Sequence, residues 1–457
     1  MSTLQVDLDL IKKYNVPGPR YTSYPPATQF TDKLSLYELQ EKVRESGQSE
    51  RKLSLYFHLP FCQTLCWFCG CTTVITTEQS VSSKYLEYLK KELALIKPLL
   101  NPNRHAIQLH FGGGTPTFFT PAELRQLGEM IHSQFTLAPD AEAGVEIDPR
   151  RVSRDHIQAL RDIGFNRASI GVQDHNQKVQ EAIHRIQPFE QTKKVVDWIH
   201  ETGFSSLNID LIYGLPHQTA ATFETTLEDA LKLQPNRFAV FNYAHVPWMK
   251  PAQKILEAKI LPTPEVKMQL LKLTIEKLTS EGYVYIGMDH FAREDDELAI
   301  AQREKTLQRN FQGYSTRGGT DIFAMGMSSV SQSDALYWQN IKELSEYYAA
   351  LDAGKLPIAR GYILTAEDKI RRETIMRLMC DLGLDYAGMS HLLGFDFAKH
   401  FALELESLDD MEADGLLVKT PSGVDVTDLG RLLVRNIAMR FDSYLPKQNE
   451  RRFSKTI

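Results

Sequence analysis

The sequence predicts an α/β protein in which parallel strands are joined by helical crossovers, with an N-terminal arm before them and a mainly helical unit after them. Three observations predict this. From about residue 50, short β-rich runs alternate with stretches whose apolar residues recur at a 3.6-residue period. Repeats of such a β-then-α unit build parallel sheets. The polar and glycine-containing motifs stand just after the β-rich runs, at the strand ends where parallel α/β folds collect their active sites.

Taken in order, the stretch "YNVPGPRYTSYPPATQF" is rich in Pro, Tyr and Ser and follows neither the helical nor the strand period, which predicts an extended arm. The candidate strands are "LSLYFH" near 53, "AIQLHF" near 106, "AGVEID" near 143, "RASIGV" near 167, "SLNIDLIY" near 206, "RFAVFNYA" near 237 and "YVYIGM" near 283. Stretches such as "SSKYLEYLKKELALIKPLL" and "PEVKMQLLKLTIEKLTSEGY" supply the crossover helices. This pattern fits either a barrel-like (β/α) sheet or an open doubly wound one. Past residue 295 the alternation stops. The segment holding "LQRNFQGYSTRGGTD" and "AMGMSSVS" is glycine-rich, and is expected to be a loop-rich cover over the sheet's mouth. From about 365 the chain reads as helical and closes on two short strands around a Pro-Ser-Gly turn, a pattern that resembles a winged-helix module. Its acids, Asp385, Asp396, Glu404, Glu406, Asp409, Asp410, Glu412 and Asp414, repel phosphate and favour a packing or lid role over DNA binding. The expected units are therefore residues 1–45, 46–295, 296–364 and 365–457.

Composition narrows the function classes. A formal net charge of −6 over 457 residues argues against a general nucleic-acid binder. No apolar run reaches the roughly 18 residues of a membrane span. The start, "MSTLQVDLDLIKKYN", lacks a signal peptide's apolar core, so the expected compartment is the cytoplasm, with no membrane partner. The chain is long enough to stand as a monomer. In a reducing compartment clustered cysteines are more often metal or redox ligands than disulfides. Cys380, within an apolar helical pattern, is expected in a core.

Four of the five cysteines fall within "CQTLCWFCGC", residues 62–71. Zinc sites usually join two ligand pairs a dozen or more residues apart, which this spacing does not offer. An iron-sulfur cube is larger and takes thiolates at separate corners, so one loop can supply Cys62, Cys66 and Cys69. The C-x-C step makes Cys71 a poor fourth ligand, leaving one iron open to a small molecule. The triglycine Gly112 to Gly114 is either a tight turn or a close backbone approach to a ligand. Thr115-Pro116 replaces the ending a phosphate loop needs, so that ligand is not a nucleotide phosphate.

These motifs together resemble the radical S-adenosylmethionine (SAM) superfamily. Within it, "PGPRYTSYP", Cys71, "IDPR", "IGVQD", "IDLIYGLP", "GMDHFAR" and "RNFQGY" resemble the oxygen-independent coproporphyrinogen III oxidase family, from residue 17 to about 440. The resemblance implies a partial (β/α)6-type radical SAM barrel with an N-terminal arm and a mainly helical, winged-helix-like C-terminal domain. It implies a 4Fe-4S cluster on Cys62, Cys66 and Cys69, two SAM molecules, a reductant protein, and oxidative decarboxylation of two propionates of coproporphyrinogen III through a 5'-deoxyadenosyl radical. By the same resemblance Tyr56, Gly113, Glu146, Ala244 and Val330 serve the first SAM. Phe68, Gly114, Thr115, Gln173, Arg185 and Asp210 serve the second, while Gly70 shapes the cysteine loop beside Cys71. Tyr56, Glu146, Phe311 and Gln312 are the implied catalytic residues. Charge logic adds Arg20, Arg293, Arg303 and Arg309 as partners for propionates, with Tyr21 either lining that pocket or pinning the arm. The rival reading is a haem chaperone of the same fold, a family that carries a His-Asn pair where this chain has Arg309-Asn310.

Overall fold

The computed structural model describes Leu4, residues 6–257 and residues 261–445. Twelve strands form one sheet, numbered here in chain order. They are β1 (Leu53–Leu59), β2 (Ala106–Gly113), β3 (Leu137–Ile147), β4 (Arg167–Gln173), β5 (Ser206–Tyr213) and β6 (Arg237–Asn242), then β7 (Tyr283–Gly287), β8 (His290–Arg293), β9 (Asp321–Met325), β10 (Val330–Gln332), β11 (Leu336–Asn340) and β12 (Ile358–Ile363). Their spatial order is β12-β11-β10-β9-β1-β2-β3-β4-β5-β6-β8-β7. From β9 through β6 every neighbouring pair is parallel.

Burial explains the parallel core. Strand β1 is buried at every position but Tyr56, as expected of a strand covered on both faces. The crossover helices bury one stripe each: Tyr85, Leu86, Leu89, Leu93 and Ile96 of Ser80–Ile96 enter the same core as β1. Their starts are written locally. Thr120 caps Pro121–Gln134 and receives Glu123 in return, and Thr365 and Asp368 do the same for Ala366–Asp381.

Three expectations change. The segment 296–364 is not loop-rich: it holds four sheet strands, and β9 lies fully buried alongside β1. Its glycines make turns between strands, as at Gly326, whose φ of 97° suits glycine. The "YVYIGM" run is no further parallel unit, because β7 returns antiparallel through β8 at the sheet's edge. The 1–45 arm is extended only in its middle, between the helix Leu8–Tyr14 and the helix Leu36–Gly47.

The C-terminal region has its own core, in which Ile375, Leu378 and Met379 of Ala366–Asp381 pack with Phe401, Leu433 and Ile437. In a three-stranded antiparallel sheet Gly423–Val426 is central, pairing with Gly383–Asp385 on one side and Leu417–Thr420 on the other. Residues 446–457 lie outside the described residues. Tyr14, Tyr21 and Tyr24 of the arm belong to this second core, and Tyr21 donates to Asp442 at 2.9 Å. Among the described residues no helix is long and apolar enough to cross a membrane.

Candidate active site

The carboxyl ends of β1, β2, β3 and β5 open on a cavity of about 520 Å³. Tyr56, His58, Cys71, His110, Gly113, Glu146, Asp210, Phe311, Gln312 and Val330 are among its walls. The sheet register explains the grouping. Tyr56 of β1 sits opposite His110 of β2, and the period of two sends His58 to the same face as Tyr56.

Tyr56, His58, His110 and Glu146 form one chain of contacts. The Tyr56 hydroxyl lies 3.1 Å from His58 Nδ1, and His58 Nε2 lies 2.9 Å from the Thr72 carbonyl. A carbonyl only accepts, so His58 carries its proton on Nε2 and accepts from Tyr56 at Nδ1. Burial holds the His58 imidazole below its ordinary value, and burial likewise pushes the Tyr56 phenol well up. The Glu146 carboxylate accepts from the Gly113 N–H at 3.1 Å and stands 3.5 Å from His110 Nε2. Burial works to raise Glu146, but the hydrogen bond from His110 and the Gly113 N–H hold it below the usual carboxylate value. The carboxylate stays anionic, and 46% of its side chain faces the open cavity.

The triglycine is shaped by these neighbours. Gly113 has φ 106°, and a Cβ there would meet the His58 ring at 2.4 Å. A Cβ on Gly112 would lie 2.7 Å from Glu146 Oε1. The first requires glycine, while at Gly112 a methyl would push the Glu146 carboxylate aside.

The cysteine loop leaves β1 beside this cavity and enters its wall through Cys71 and Thr72. All five cysteines are free. Each of the three candidate ligand thiols has a polar neighbour: Cys62 the Thr115 hydroxyl at 3.3 Å, Cys69 the Cys71 N–H at 3.4 Å, and Cys66 the guanidinium groups of Arg150 and Arg185 at 3.4 and 3.5 Å. The two arginines also bind Asp148; burial would raise that carboxyl, but Arg185 and Arg150 pull it down to about 2. Hydrogen bonding from the Cys71 thiol and amide lowers Cys69 to about 6, whereas burial pushes Cys62 up to about 11. Among the described residues no three His, Cys, Asp or Glu side chains converge on a single-ion position. Thiols spread along one loop, with cations and hydrogen-bond donors behind them, fit the corners of an iron-sulfur cube and not a tetrahedral zinc ion.

The other residues named from sequence divide. Tyr56, Cys71, Gly113, Glu146, Asp210, Phe311, Gln312 and Val330 meet at the cavity. Burial pushes the Asp210 carboxyl up to about 7 although Ser169 and Asn208 donate to it. Phe68 packs instead with Trp67 against Val179, Ile183 and Leu215. Thr115 is turned to Cys62, and the Gly114 N–H donates to the Leu59 carbonyl at 2.9 Å. Arg185 is buried against Asp148, Cys66 and the Gly171 carbonyl, and Gln173 ends β4 at a φ of 69°. Gly70 and Ala244 are exposed and outside the cavity wall.

The residues named from charge also divide. Arg293 donates to the Pro235 carbonyl and covers Tyr283, and the exposed Arg303 donates to the Glu294 carbonyl. Neither lines the cavity. Arg20 pairs with Asp289 beside Phe241, Arg309 lines a different cavity, and Tyr21 is the arm's pin. Sequence reasoning missed His58, His110, Asp148 and Arg150. The strand period marks His58 as facing with Tyr56, and Asp148 and Arg150 stand inside the "IDPR" stretch already singled out.

Comparison with known proteins accords with this geometry. The Radical SAM superfamily model matches residues 56–230, and the HemN C-terminal domain model matches residues 364–433. A Synechocystis protein named oxygen-independent coproporphyrinogen III oxidase is 46% identical over 100% of this chain and 99% of its own length. The Escherichia coli K12 protein of the same name is 45% identical over 100% of both chains. The solved structure described as "Coproporphyrinogen III oxidase (HemN) from Escherichia coli is a Radical SAM enzyme" superposes at a TM-score of 0.91 with 44% identity, covering 97% of this chain and 100% of that one. A three-thiol loop leaving the first parallel strand, a triglycine held against Glu146, and end-to-end similarity at this level place the chain in the oxygen-independent coproporphyrinogen III oxidase family of the radical SAM superfamily.

Proposed function

We infer that this chain oxidatively decarboxylates two propionates of coproporphyrinogen III to vinyl groups, giving protoporphyrinogen IX without oxygen. The observation that carries this is the meeting of the cysteine loop, the Gly113–Glu146 pair and the Phe311–Gln312 turn on one cavity. Cys62, Cys66 and Cys69 would hold the 4Fe-4S cluster, which when bound would supply the reducing chemistry that activates SAM.

The chain's own groups prepare that chemistry. The anionic Glu146 offers an acceptor for an ammonium or ribose hydroxyl, and the Gly113 backbone fixes its direction. The Arg150 and Arg185 guanidiniums stand behind Cys66 and donate to its sulfur. Tyr56, His110 and Phe311 give the cavity aromatic walls that restrict water around a reactive intermediate. Gln312 lines the cavity, and its buried amide nitrogen has no partner among the described residues. Asp210, held to about 7, becomes a full carboxylate when a cation such as a sulfonium sits near it, which supports a second SAM on this side.

We place the reaction in the cytoplasm with a monomeric enzyme, on the free thiols and on a core large enough to stand alone. The cluster needs an electron donor, and the face carrying the cysteine loop presents Trp248 and Met249, 66% and 67% exposed, beside Lys250, which donates to the Cys71 carbonyl. That patch suits a reductant protein.

The deciding experiment is anaerobic reconstitution with iron and sulfide, followed by reductant, SAM and coproporphyrinogen III, with products read by mass. The expected products are 5'-deoxyadenosine and a tetrapyrrole lighter by two carboxyl groups. Finding neither product sinks the reading. Stable stoichiometric haem binding without conversion would instead favour the chaperone.

A further inference from the structure

A second cavity, of about 260 Å³, lies between the arm, residues 308–320 and the helix Ala366–Asp381. Arg309 and Asn310 line it, while the next two residues, Phe311 and Gln312, line the main cavity. Phe311 meets Tyr337 of the second cavity edge-on, with ring centroids 5.7 Å apart.

The second cavity is rich in cations. Its walls carry the arginines 51, 309, 317, 372 and 377 against two acids, Asp334 and Glu373. Both acids are engaged. Asp334 accepts from Lys369 and Arg372 at 2.7 and 2.8 Å, and Glu373 stands 3.0 Å from Arg377. Arg51 and Arg317 are held by Asp321 and Asp140.

Arg309 has no such partner. It is 5% exposed, and its Nε and Nη2 reach only the Arg20 carbonyl, at 3.4 and 3.2 Å. Its guanidinium lies 4.6 Å from the Tyr314 ring centroid, and its Nη1 has no hydrogen-bond partner among the described residues. Among those residues no carboxylate stands at ion-pair distance from it. Asp289, the acid that acts on it from farther away, is already paired with Arg20. Burial accordingly holds Arg309 below its ordinary value, the mark of a cation short of a counterion. Asn310 commits its side-chain oxygen to the Gln312 N–H at 2.8 Å, which leaves its amide NH2 as a donor.

We propose that this cavity is an oxyanion site anchored by Arg309, taking a carboxylate or phosphate group. The anion has two chemical sources. One is a propionate of the tetrapyrrole reaching past Phe311 from the main cavity, which rests on the function proposed above. The other is a free small anion, which does not.

The test uses the full-length, cluster-loaded protein as wild type, Arg309→Gln and Gln332→Glu. Gln332 lines the same cavity with a buried amide oxygen that has no partner, so the glutamate supplies a resident counterion even if Arg309→Gln fails to fold. The probes are inorganic phosphate, read by thermal melting, and coproporphyrin III, the stable four-propionate analogue, read by fluorescence titration. A tetrapyrrole propionate predicts about tenfold weaker coproporphyrin binding in both variants, with phosphate competing in wild type. A free anion predicts a phosphate-induced rise in Tm that both variants lose, with coproporphyrin binding unchanged. That second result upholds the site even if the reconstitution yields no product. No response of wild type to either probe, or responses that persist in both variants, overturns the proposal.

Discussion

The phenol ring of Tyr56 lies flat on the imidazole of His110, with centroids 5.7 Å apart and planes 12° from parallel. The two residues are register partners on β1 and β2, so the stack is set by the sheet. It separates what the Tyr56 ring does from what its hydroxyl does. Tyr56→Phe keeps the stack and loses one hydrogen bond to His58, worth about 1 kcal/mol, so a loss of about fivefold in turnover is expected. Tyr56→Ala removes the wall, and product formed per 5'-deoxyadenosine released should fall by about 100-fold or more. Equal ratios in the two variants would remove the ring from the mechanism.

Glu146 combines charge and shape. Glu146→Gln keeps the side chain's size and cancels the charge, and a hydrogen bond to a charged group contributes about 1.5–3 kcal/mol. SAM affinity, measured by equilibrium dialysis on the reconstituted protein, should drop by about 10- to 150-fold. Gly112→Ala should resemble it, because the new methyl displaces the Glu146 carboxylate.

The four loop cysteines should part company in iron content. Cys62→Ala, Cys66→Ala and Cys69→Ala should each lose most bound iron and sulfide after anaerobic reconstitution. Cys71→Ala should keep near wild-type iron, since Cys71 is exposed and faces the main cavity. Equal loss in all four would make Cys71 a ligand.

Trp248→Glu should slow turnover severalfold with a protein electron donor and leave the dithionite-driven rate unchanged. The residue is 66% exposed and touches the chemistry only through its neighbourhood to Lys250. A matching loss with dithionite would mean the variant damages the loop itself.

Glu92 gives the fold a pH dependence. It is fully buried, and accepts from the Gly326 N–H at 2.7 Å and from Asn340 and Tyr347 at 2.6 Å each. Burial raises it from 4.5 to about 7 against those hydrogen bonds. The native state therefore holds the extra proton. The stability it contributes is full below about 4.5 and is lost as pH rises through about 7. Thermal melts from pH 5 to pH 8 should show wild type losing Tm relative to Glu92→Gln. Parallel curves would show that Glu92 titrates alike in both states.

Much of the site was legible because it lies within a continuous stretch on consecutive strands. The cysteine loop follows β1, the triglycine ends β2 and Glu146 lies near the end of β3, so motif order alone lined them up. Strand β9 was not legible. "DIFAM" has only four apolar residues after Asp321, a run too short for periodicity to tell from a buried turn or helix segment, and its partner is the far earlier β1. The arginines show another limit. Charge marks Arg303 and Arg309 alike, but one faces solvent and a carbonyl while the other is buried without a counterion, and only packing distinguishes them. His58 was overlooked because a histidine on an apolar strand usually reads as core; its link to Thr72 of the cysteine loop is a tertiary fact.

The seating of β1 between β2 and β9 also has a consequence for synthesis. Until residue 325 has left the ribosome, the strand that presents Tyr56 and launches the cysteine loop has one edge of unpaired backbone N–H and C=O groups, and the arm's latch on Asp442 comes later still. A nascent chain stalled before that point would carry its cysteine loop on a strand paired on one side only. Metal loading should therefore follow release of the finished polypeptide, and truncations ending before Met325 should aggregate and take up no cluster.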